Sequence, residues 1–340
     1  MESDTGQRTA LDTTDRKIIH ALFLDGRVSF SRIAEILGVS DQTVARRFRR
    51  LQRRHGLRVV CREAAAATDA EWLLRLRCTP GRAGAVADLL ARRDETHWIR
   101  ICAGGAEVVC GVTESDAHPH EALVDELLPA TRATVVLAAH RILHTFRGGR
   151  TTLPSLTGAL SDDEAGRIRA LPAAPAPPVV LDAQDRVLLA ELARDGRAGY
   201  APLGIATGMA EATVRRRLGA LLDARAVYFD VDLDATSLGY TETSLLWITA
   251  APARVDAVGR AIAAVGDVAF AAATTGPSNI VASVLSRGTT DLYRLVTSIG
   301  AIDGVDRLAA DPVLRTVKAS GAVSSAGRAG TSGRSASRGS

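Results

Sequence analysis

Aromatic residues and lysine are both scarce in this sequence. Aromatic side chains make up 4% of the 340 residues, so the hydrophobic cores must consist mainly of alanine, valine, leucine and isoleucine. Among the 42 basic residues only Lys17 and Lys318 are lysine. Arginine supplies the rest, and its planar fork suits phosphate and guanine better than an ammonium group does. No run approaches the ~18 consecutive apolar residues of a membrane span, which argues against a transmembrane class.

Cysteine pairs and a secretion signal are also missing. The four cysteines (Cys61, Cys78, Cys102 and Cys110) contain no Cys-x-x-Cys spacing, so we interpret them as free thiols rather than metal ligands. Residues 1–10 are polar and lack the apolar core of a signal peptide. We therefore expect a cytoplasmic protein with no membrane partner, no metal and no cofactor.

Positive charge is concentrated at the N-terminal end. Residues 1–62 hold 13 basic against 7 acidic residues, whereas the whole chain has a formal net charge of +4. The excess of positive charge therefore lies in the first fifth of the chain. A local basic field of this kind is typical of a protein with a polyanionic partner, although a solvated helix face is the simpler interpretation of a charge run alone.

The chain repeats itself after 170 residues. Leu11-Asp12-x-x-Asp15-Arg16 aligns with Leu181-Asp182-x-x-Asp185-Arg186, and Asp25-Gly26-Arg27 aligns with Asp195-Gly196-Arg197. Thr43-Val44-x-Arg46-Arg47 aligns with Thr213-Val214-x-Arg216-Arg217 without a gap. The chain is therefore a tandem duplication.

Each repeat begins with a three-helix pattern. Apolar residues recur at helical spacing from Thr14 to Leu24, and a second helix capped by Ser29 or Ser31 runs to Leu37. The turn Gly38-Val39-Ser40 precedes a third helix from Asp41 to about His55. This order predicts a helix-turn-helix domain.

The third helix is expected to carry the DNA-binding residues. At 100° per residue, Val44, Phe48 and Leu51 form the core stripe. Gln42 and Arg46 are suited to base edges near the helix start, whereas the later arginines are better placed for phosphates. For Arg47 a packing role is equally favoured. The candidate DNA-binding residues of this repeat are Ser40, Gln42, Thr43, Arg46, Arg47, Arg49, Arg50 and Arg53.

The second repeat keeps the helical pattern but loses much of its charge. The outward positions become Ala212, Arg216, Gly219, Ala220 and Asp223. Residues 181–226 are close to neutral, and Ala210 replaces the capping Ser40. The candidate DNA-binding residues here are Thr213, Arg215, Arg216 and Arg217, and we expect DNA affinity to depend mostly on the first repeat.

A different pattern follows each helix-turn-helix. In the first repeat we predict strands at 71–78, 96–102, 107–112 and 131–143, with helices at 81–92 and 119–128. In the second repeat we predict strands at 243–249, 268–275, 279–285 and 305–317, with helices at 255–265 and 290–299. The βαββαβ order predicts an antiparallel sheet with both helices on one face, which is a ferredoxin-like domain.

These patterns define an α+β chain of six segments. The predicted boundaries are a first helix-turn-helix domain at 1–62, a ferredoxin-like domain at 63–145, a proline-rich linker at 146–180, a second helix-turn-helix domain at 181–230, a second ferredoxin-like domain at 231–319 and a disordered tail at 320–340. Within the linker, Ser161-Asp-Asp-Glu164 is a capping box that opens a short helix to about Leu171.

The helix-turn-helix residues resemble those of the Lrp/AsnC transcription regulators. The similarity rests on Leu11-Asp12, Asp15, Asp25-Gly26-Arg27, Ile33-Ala34, Gly38-Val39-Ser40, Val44-x-x-Arg47 and Leu51. The segment Gly304-Val305-x-x-Leu308 to Thr316 is similar to the family's last helix-to-strand segment. The resemblance covers residues 11–145 and 181–318. It implies a regulator that binds double-stranded DNA through a winged or tri-helical helix-turn-helix, with a sheet domain (the RAM domain) that binds effectors and pairs into dimers.

Two departures from the family pattern affect what the resemblance implies. Family members usually carry Gly-x-x-Asp where an amino acid or similar effector binds, and here the motifs are Gly104-x-x-Glu107 and Gly276-x-x-Asn279. A plain hairpin turn explains these glycines equally well. The double length suggests that the two sheet domains of one chain pair with each other, with a homo-oligomer as the alternative.

An enzyme is the competing interpretation. Siroheme decarboxylases share this architecture, occur as fused pairs, and are understood to use histidine and arginine in a porphyrin pocket. All the histidines of this chain lie in the first repeat, at His20, His55, His97, His118, His120, His140 and His144. Because the second repeat has no matching histidine, we expect a regulator and no enzymatic activity.

Overall fold

A computed structural model describes residues 11–63, 70–93, 95–114, 133–148, 158–169, 179, 181–233 and 235–318. The helices are α1 (Thr13–Leu24), α2 (Phe30–Leu37), α3 (Asp41–His55), α4 (Ala83–Ala91), α5 (Asp162–Ile168), α6 (Ala183–Arg194), α7 (Tyr200–Thr207), α8 (Glu211–Asp223), α9 (Val255–Ala264) and α10 (Thr289–Gly300). The strands are β1 (Arg58–Glu63), β2 (Ala70–Cys78), β3 (Thr96–Cys102), β4 (Glu107–Glu114), β5 (Thr134–Arg147), β6 (Val227–Asp232), β7 (Glu242–Ala250), β8 (Val268–Thr274), β9 (Ile280–Ser286) and β10 (Val305–Lys318).

The chain forms two compact units, and each unit combines parts of both repeats. The head unit consists of Met1–Ala66 and Gly148–Thr241, and the barrel unit consists of Ala67–Arg147 and Glu242–Ser340. The six predicted segment boundaries stay a prediction, and β6 crosses the one placed after residue 230. The predicted helix at 119–128 and the predicted disordered tail lie outside the described residues.

Both three-helix patterns of the head unit are present as predicted. Asp12 and Asp182 begin the first helix of their repeats, and each forms a capping box with the aspartate three residues later. Gly38 and Gly208 end the second helices with φ of 65° and 70°, where a side chain would cost strain. The local signals therefore specify the same helix-turn-helix in each repeat.

A strand that the sequence patterns did not predict follows each helix-turn-helix. Strands β1 and β6 pair antiparallel, and Val60 lies opposite Asp230, its own equivalent in the other repeat. Arg62 forms ion pairs with Asp230 and Asp232 at 2.9 Å each. Val59-Val60-Cys61 and Val227-Tyr228-Phe229 are the β-branched and aromatic runs that could have indicated these strands.

The two helix-turn-helix domains are held together by exchanged arginines. Arg27 donates to the carbonyl oxygens of Gly196 and Ala198 at 2.7 and 2.9 Å. Reciprocally, Arg197 donates to the carbonyl oxygens of Gly26 and Val28 at 2.6 and 2.9 Å. The repeated Asp-Gly-Arg motif is therefore an interdomain contact as well as a helix end.

The Asp-Gly-Arg arginines also stack on the aromatic rings of the opposite repeat. The guanidinium of Arg197 lies 4.7 Å from the ring centre of Phe30 and 5.6 Å from that of Phe48 on α3. Arg27 lies 4.9 Å from the ring of Tyr200. Contacts of this kind stabilise by about 0.5–1 kcal/mol or more when desolvated. The second repeat therefore supports the side of α3 that faces the protein.

The barrel unit contains both predicted ferredoxin-like sheets. The strand order is β10-β3-β4-β2-β5-β8-β9-β7, and the sheet closes on itself. Strands β5 and β8 join the repeats on one side, and β3 and β10 join them on the other. The two sheets therefore pair within one chain, as the tandem hypothesis expects, and together form an eight-stranded barrel.

Aliphatic cores fill the barrel unit, consistent with the low aromatic content. One core lies beneath α4 in the first repeat, and a second lies beneath α9 and α10. A third contains residues of both repeats, among them Val109 and Trp247. All four cysteines are buried and free, and burial raises the thiol pKa of Cys61, Cys102 and Cys110 to about 12.

Candidate nucleic-acid interface

Helix α3 is fixed to the head unit by its caps and its apolar stripe. The Ser40 hydroxyl accepts a hydrogen bond from the Thr43 backbone N–H at 3.2 Å, and Gly56 ends the helix with φ of 65°. Val44, Phe48 and Leu51 are all buried, as the angular analysis predicts. The opposite face must therefore point toward solvent.

Four of the predicted DNA-binding side chains lie on that exposed face. They are Gln42, Arg46, Arg49 and Arg53. Among the residues that the structure describes, these three arginines form no ion pair. Gln42, Arg46 and Arg49 line a groove of about 570 Å³ along the start of the helix. The guanidinium groups of Arg46, Arg49 and Arg53 are available to an anionic partner.

Arg47 and Arg50 have a different position. Arg47 forms ion pairs with Asp12 at 2.6 Å and Asp15 at 2.9 Å, and Arg50 forms an ion pair with Asp15. Arg50 is therefore half-buried and not fully outward, because the buried carboxylate of Asp15 holds its guanidinium against α1. The side chain of Arg47 packs against the start of α1, which is the structural role that sequence analysis favoured equally with DNA binding.

The directions of the pKa shifts of Asp12 and Arg47 agree with the ion pair that holds Arg47 to α1. Burial alone would raise the pKa of Asp12, but the hydrogen bond and charge of Arg47, the hydrogen bond from the Asp15 backbone N–H and the charge of Arg50 together lower that pKa. The hydrogen bond to Asp12 raises the pKa of Arg47. The second repeat copies this arrangement, since Arg217 pairs with Asp182 and Asp185 and lowers the pKa of Asp185. Arg217 therefore plays the same structural part as Arg47.

Ser40 and Thr43 serve first as capping residues. Their hydroxyl oxygens lie 2.9 Å apart, and Thr43 is half-buried. In the second repeat the cap position holds Ala210, which makes no side-chain cap bond to Thr213. The two helix starts therefore differ in chemistry although their backbones match.

The outward face of α8 is poorer in charge than that of α3. Arg215 and Arg216 are exposed, and Arg215 lies 4.8 Å from the ring centre of Tyr200. The other exposed residues of α8 are Glu211, Ala212, Ala220 and Asp223. The structure thus shows one arginine-rich face and one nearly neutral face within the same unit.

The predicted effector residues of the first repeat lie at the turn between β3 and β4. Gly104 has φ of 64° within a short 3₁₀ turn. Glu107 is buried, and its two carboxylate oxygens accept from Arg75 at 2.6 and 3.0 Å. Arg75 also stacks 4.0 Å from the Trp247 ring centre. The Glu107 carboxylate is therefore occupied by an internal partner.

The equivalent turn of the second repeat is also engaged internally. The Asn279 amide donates to the Ala250 carbonyl oxygen at 2.7 Å and accepts from the Ala250 backbone N–H at 3.0 Å. Gly276 has φ of 102°, and a Cβ there would lie 2.3 Å from Nδ1 of His140. Both glycines thus meet turn requirements, and an effector role for these four residues stays a prediction.

Five of the seven histidines lie among the described residues, and each has a packing contact. His20 accepts from the Leu160 backbone N–H, His55 lies 2.9 Å from the Ser237 hydroxyl, and His140 donates to the Thr275 carbonyl oxygen at 2.9 Å. His97 packs against Gly111, and His144 meets the Phe146 ring edge-on. His118 and His120 lie outside the described residues.

Comparison with known proteins agrees with this architecture. Residues 11–52 and 181–222 match the model of the AsnC-type helix-turn-helix domain, and residues 243–323 match that of the Lrp/AsnC ligand binding domain. The uncharacterised HTH-type transcriptional regulator PH1692 of Pyrococcus horikoshii is 31% identical over 139 residues, which cover 94% of that protein and 41% of this chain. The chain belongs to the Lrp/AsnC family.

Two further comparisons of this Lrp/AsnC protein concern one sequence relative and one solved structure. HTH-type transcriptional regulator FL11 of Pyrococcus horikoshii is 26% identical over 141 residues, covering 93% of that protein and 41% of this chain. Among solved structures, the siroheme decarboxylase NirDL is similar over 91% of this chain and 93% of its own, with a TM-score of 0.61 and 11% identity. That likeness establishes a common fold over both repeats.

No described helix is long and apolar enough to cross a membrane. No group of three or more histidine, cysteine or acidic side chains in the described part of the chain is arranged to hold a metal ion.

Proposed function

We propose that this Lrp/AsnC protein is a sequence-specific transcription regulator that binds double-stranded DNA through α3 of its first repeat. The observation that supports it is the row of exposed arginines, Arg46, Arg49 and Arg53, on a helix whose opposite side is buried. A recognition helix of a helix-turn-helix lies in the major groove with its first residues at base edges.

The position of each side chain along α3 determines whether we assign it a base contact or a phosphate contact. Gln42 and Arg46 lie near the helix start, where bidentate contacts to adenine and guanine are geometrically suited. Arg49 and Arg53 lie one and two turns further on and contact phosphates, which fix the register without reading sequence. Arg47 and Arg50 hold α3 to α1 and act on DNA only through the position of the helix.

Selection of bound DNA from a random pool tests this function. The wild-type chain should enrich one motif, and Gln42→Ala with Arg46→Ala should erase part of it, since each lost bidentate contact costs about 1–3 kcal/mol of discrimination. Arg215→Ala with Arg216→Ala is the matched control and should leave the motif intact. Failure of the wild-type chain to enrich any motif would contradict the proposal.

An effector is the second part of the proposal. The match of residues 243–323 to a ligand binding domain supports a small molecule such as an amino acid. Because Glu107 and Asn279 are engaged by Arg75 and Ala250, such a ligand must displace these contacts or bind elsewhere in the barrel unit. Repeating the DNA selection with single amino acids would reveal the effect.

An enzyme with the NirDL fold is the alternative candidate. Only the fold supports it, whereas the described histidines are engaged in packing or hydrogen bonds within the protein. A porphyrin-like absorbance that stays with the protein after incubation with siroheme would favour the enzyme.

A further inference from the structure

Arg100 is an arginine of the barrel interior without an acidic partner. It lies opposite Val109 on β4, and Val109 belongs to the core that both repeats share. Its Nη1 donates to the hydroxyl of Ser283 on β9 at 3.0 Å, whereas its Nε is buried and has no hydrogen-bond partner. Among the described residues, no carboxylate forms an ion pair with this guanidinium. Burial lowers the pKa of Arg100, but an arginine keeps its proton in proteins, so the charge stays there without a counter-ion.

The acids of the same region are bound to another arginine. The charges of Arg100, Arg75, Glu107 and Asp311 all act on the thiol of Cys102, so the four groups lie near one another in the barrel. Arg75 forms ion pairs with Glu107 at 2.6 Å and with Asp311 at 3.2 Å. Neither acid forms an ion pair with Arg100. The internal network therefore pairs one inward arginine and leaves the other unpaired.

A bulge in β3 places an exposed aromatic ring beside this arginine. Between the pairs His97–Gly111 and Arg100–Val109, β3 has two residues where β4 has one. The extra residue is Trp98, whose φ of 51° is strained for a bulky side chain. Its ring is 43% exposed, and the ring centre lies 5.4 Å from the Arg100 guanidinium. Strain of this kind is concentrated at ligand sites, where it holds a side chain in a required position.

The second repeat has no polar side chain at either equivalent position. The glycine turns that follow β3 and β8 lie 172 residues apart. The same shift places Ala272 at the position of Arg100 and Gly111 at that of Ser283. Ala272 is fully buried in the core that both repeats share. The second repeat therefore completes its half of the barrel without an inward charge here, so packing of the barrel does not explain Arg100.

We propose that Arg100 binds the carboxylate of a small organic acid, with Trp98 lying against the apolar part of that acid. Because Ser283 occupies Nη1, the edge formed by Nε and Nη2 is left for a two-point contact with both carboxylate oxygens. Trp98 is the exposed neighbour that must shift to admit an oxygen to the buried Nε.

Charge narrows the class of ligand further. One guanidinium balances one negative charge, which suits a monocarboxylate better than a phosphate dianion. Since Arg75 holds Glu107 and Asp311, neither acid is free to pair with an ammonium group, which favours an acid without an amino group. This site is separate from the turn residues predicted to bind an effector, and it does not rest on DNA binding by α3.

Thermal unfolding of the full chain without DNA tests the inference apart from the proposed function. The probe is 3-phenylpropionate, an aromatic monocarboxylate, titrated to about 10 mM. At about ten times its Kd it should raise the Tm by about 3–5 °C, because it binds only the native state. L-Phenylalanine has the same skeleton with an added ammonium group, and 3-phenylpropanamide has it without the charge. Neither should produce that shift.

Two variants of Arg100 assign the shift to this site. Arg100→Met keeps the length of the side chain and should abolish the shift without lowering the Tm of the ligand-free protein, because it removes a charge that has no counter-ion. Arg100→Lys keeps the charge but loses the two-point edge, and should weaken binding by roughly 10-fold or more. Arg294→Gln, which removes an exposed arginine from α10, is the matched control and should keep the full shift.

Three results overturn the inference. They are the absence of a shift in the wild-type chain at the highest concentration of 3-phenylpropionate, a shift that survives Arg100→Met, and an equal shift with 3-phenylpropanamide. An equal shift with L-phenylalanine overturns the preference for an acid without an amino group.

Discussion

At the scale of single residues, the most informative contrast lies between neighbours on α3. Arg49 and Arg50 are adjacent in sequence, but Arg49 is exposed whereas Arg50 is bound to the buried Asp15. A helical projection places both on the outer side. Since the guanidinium sits at the end of a long flexible stem, a buried acid on a neighbouring helix decides where it lies.

His20 provides a residue-scale prediction of pH dependence. A backbone N–H can only donate, so Nδ1 of His20 must be unprotonated to accept from Leu160. Burial, followed by the charge of Arg169, lowers the pKa of His20 below 6.5. Stability from this contact is therefore complete above pH about 6.5 and is lost as the pH falls through the lowered pKa.

Urea unfolding at pH 7.5 and 5.5 checks that expectation. Wild-type protein should lose about 1 kcal/mol more than His20→Asn between these conditions, because the asparagine oxygen keeps an acceptor that does not titrate. Equal losses in both proteins would contradict the role assigned to His20.

At the scale of elements, α8 is a weakened copy of α3. It has lost the serine cap, and Gly219 lies in its interior where a Cβ would meet nothing within 4 Å. Apolar positions Val214, Leu218 and Leu221 are retained and buried. Packing against the head unit therefore maintains α8 where its intrinsic helix signals have weakened.

Gly219→Ala should stabilise the protein. Alanine favours a helix interior by about 1 kcal/mol over glycine, and the site has room for the methyl group. Chemical denaturation of the variant should show that increase, and Arg49→Ala on α3 serves as a comparison with little expected change. A loss of stability in Gly219→Ala would show that the added methyl group is not accommodated at this site.

At the scale of the whole molecule, the predictable features are those coded within one repeat. Glycine turns, capping residues and alternating strands predicted the described elements of both halves, other than β1 and β6, to within a few residues. The exchange of Arg27 and Arg197 and the pairing of β1 with β6 depend on contacts across about 170 residues. Docking of α5 on α1 and α2 is equally remote, so only its capping box was visible in the sequence.

At the scale of the whole molecule, our central proposal is that this duplicated scaffold binds DNA mainly through one of its two equivalent faces, that of α3. Both head domains keep the aspartate–arginine pairs that fix the third helix, but among the described residues α3 carries three exposed arginines without an ion pair (Arg46, Arg49 and Arg53) and α8 carries two (Arg215 and Arg216). The second domain contributes Arg197, which stacks beneath α3. The structural ion pairs are thus present in both copies, whereas the proposed DNA-facing charge is concentrated in the first.

Salt dependence of DNA affinity tests this claim most directly. Each phosphate contact contributes about 0.9 to the slope of log K against log salt, so Arg49→Gln with Arg53→Gln should reduce that slope by about 1.8. Arg215→Gln with Arg216→Gln, which removes the same number of charges from α8, should reduce it by less than half as much. Equal reductions from the two variants would contradict the account.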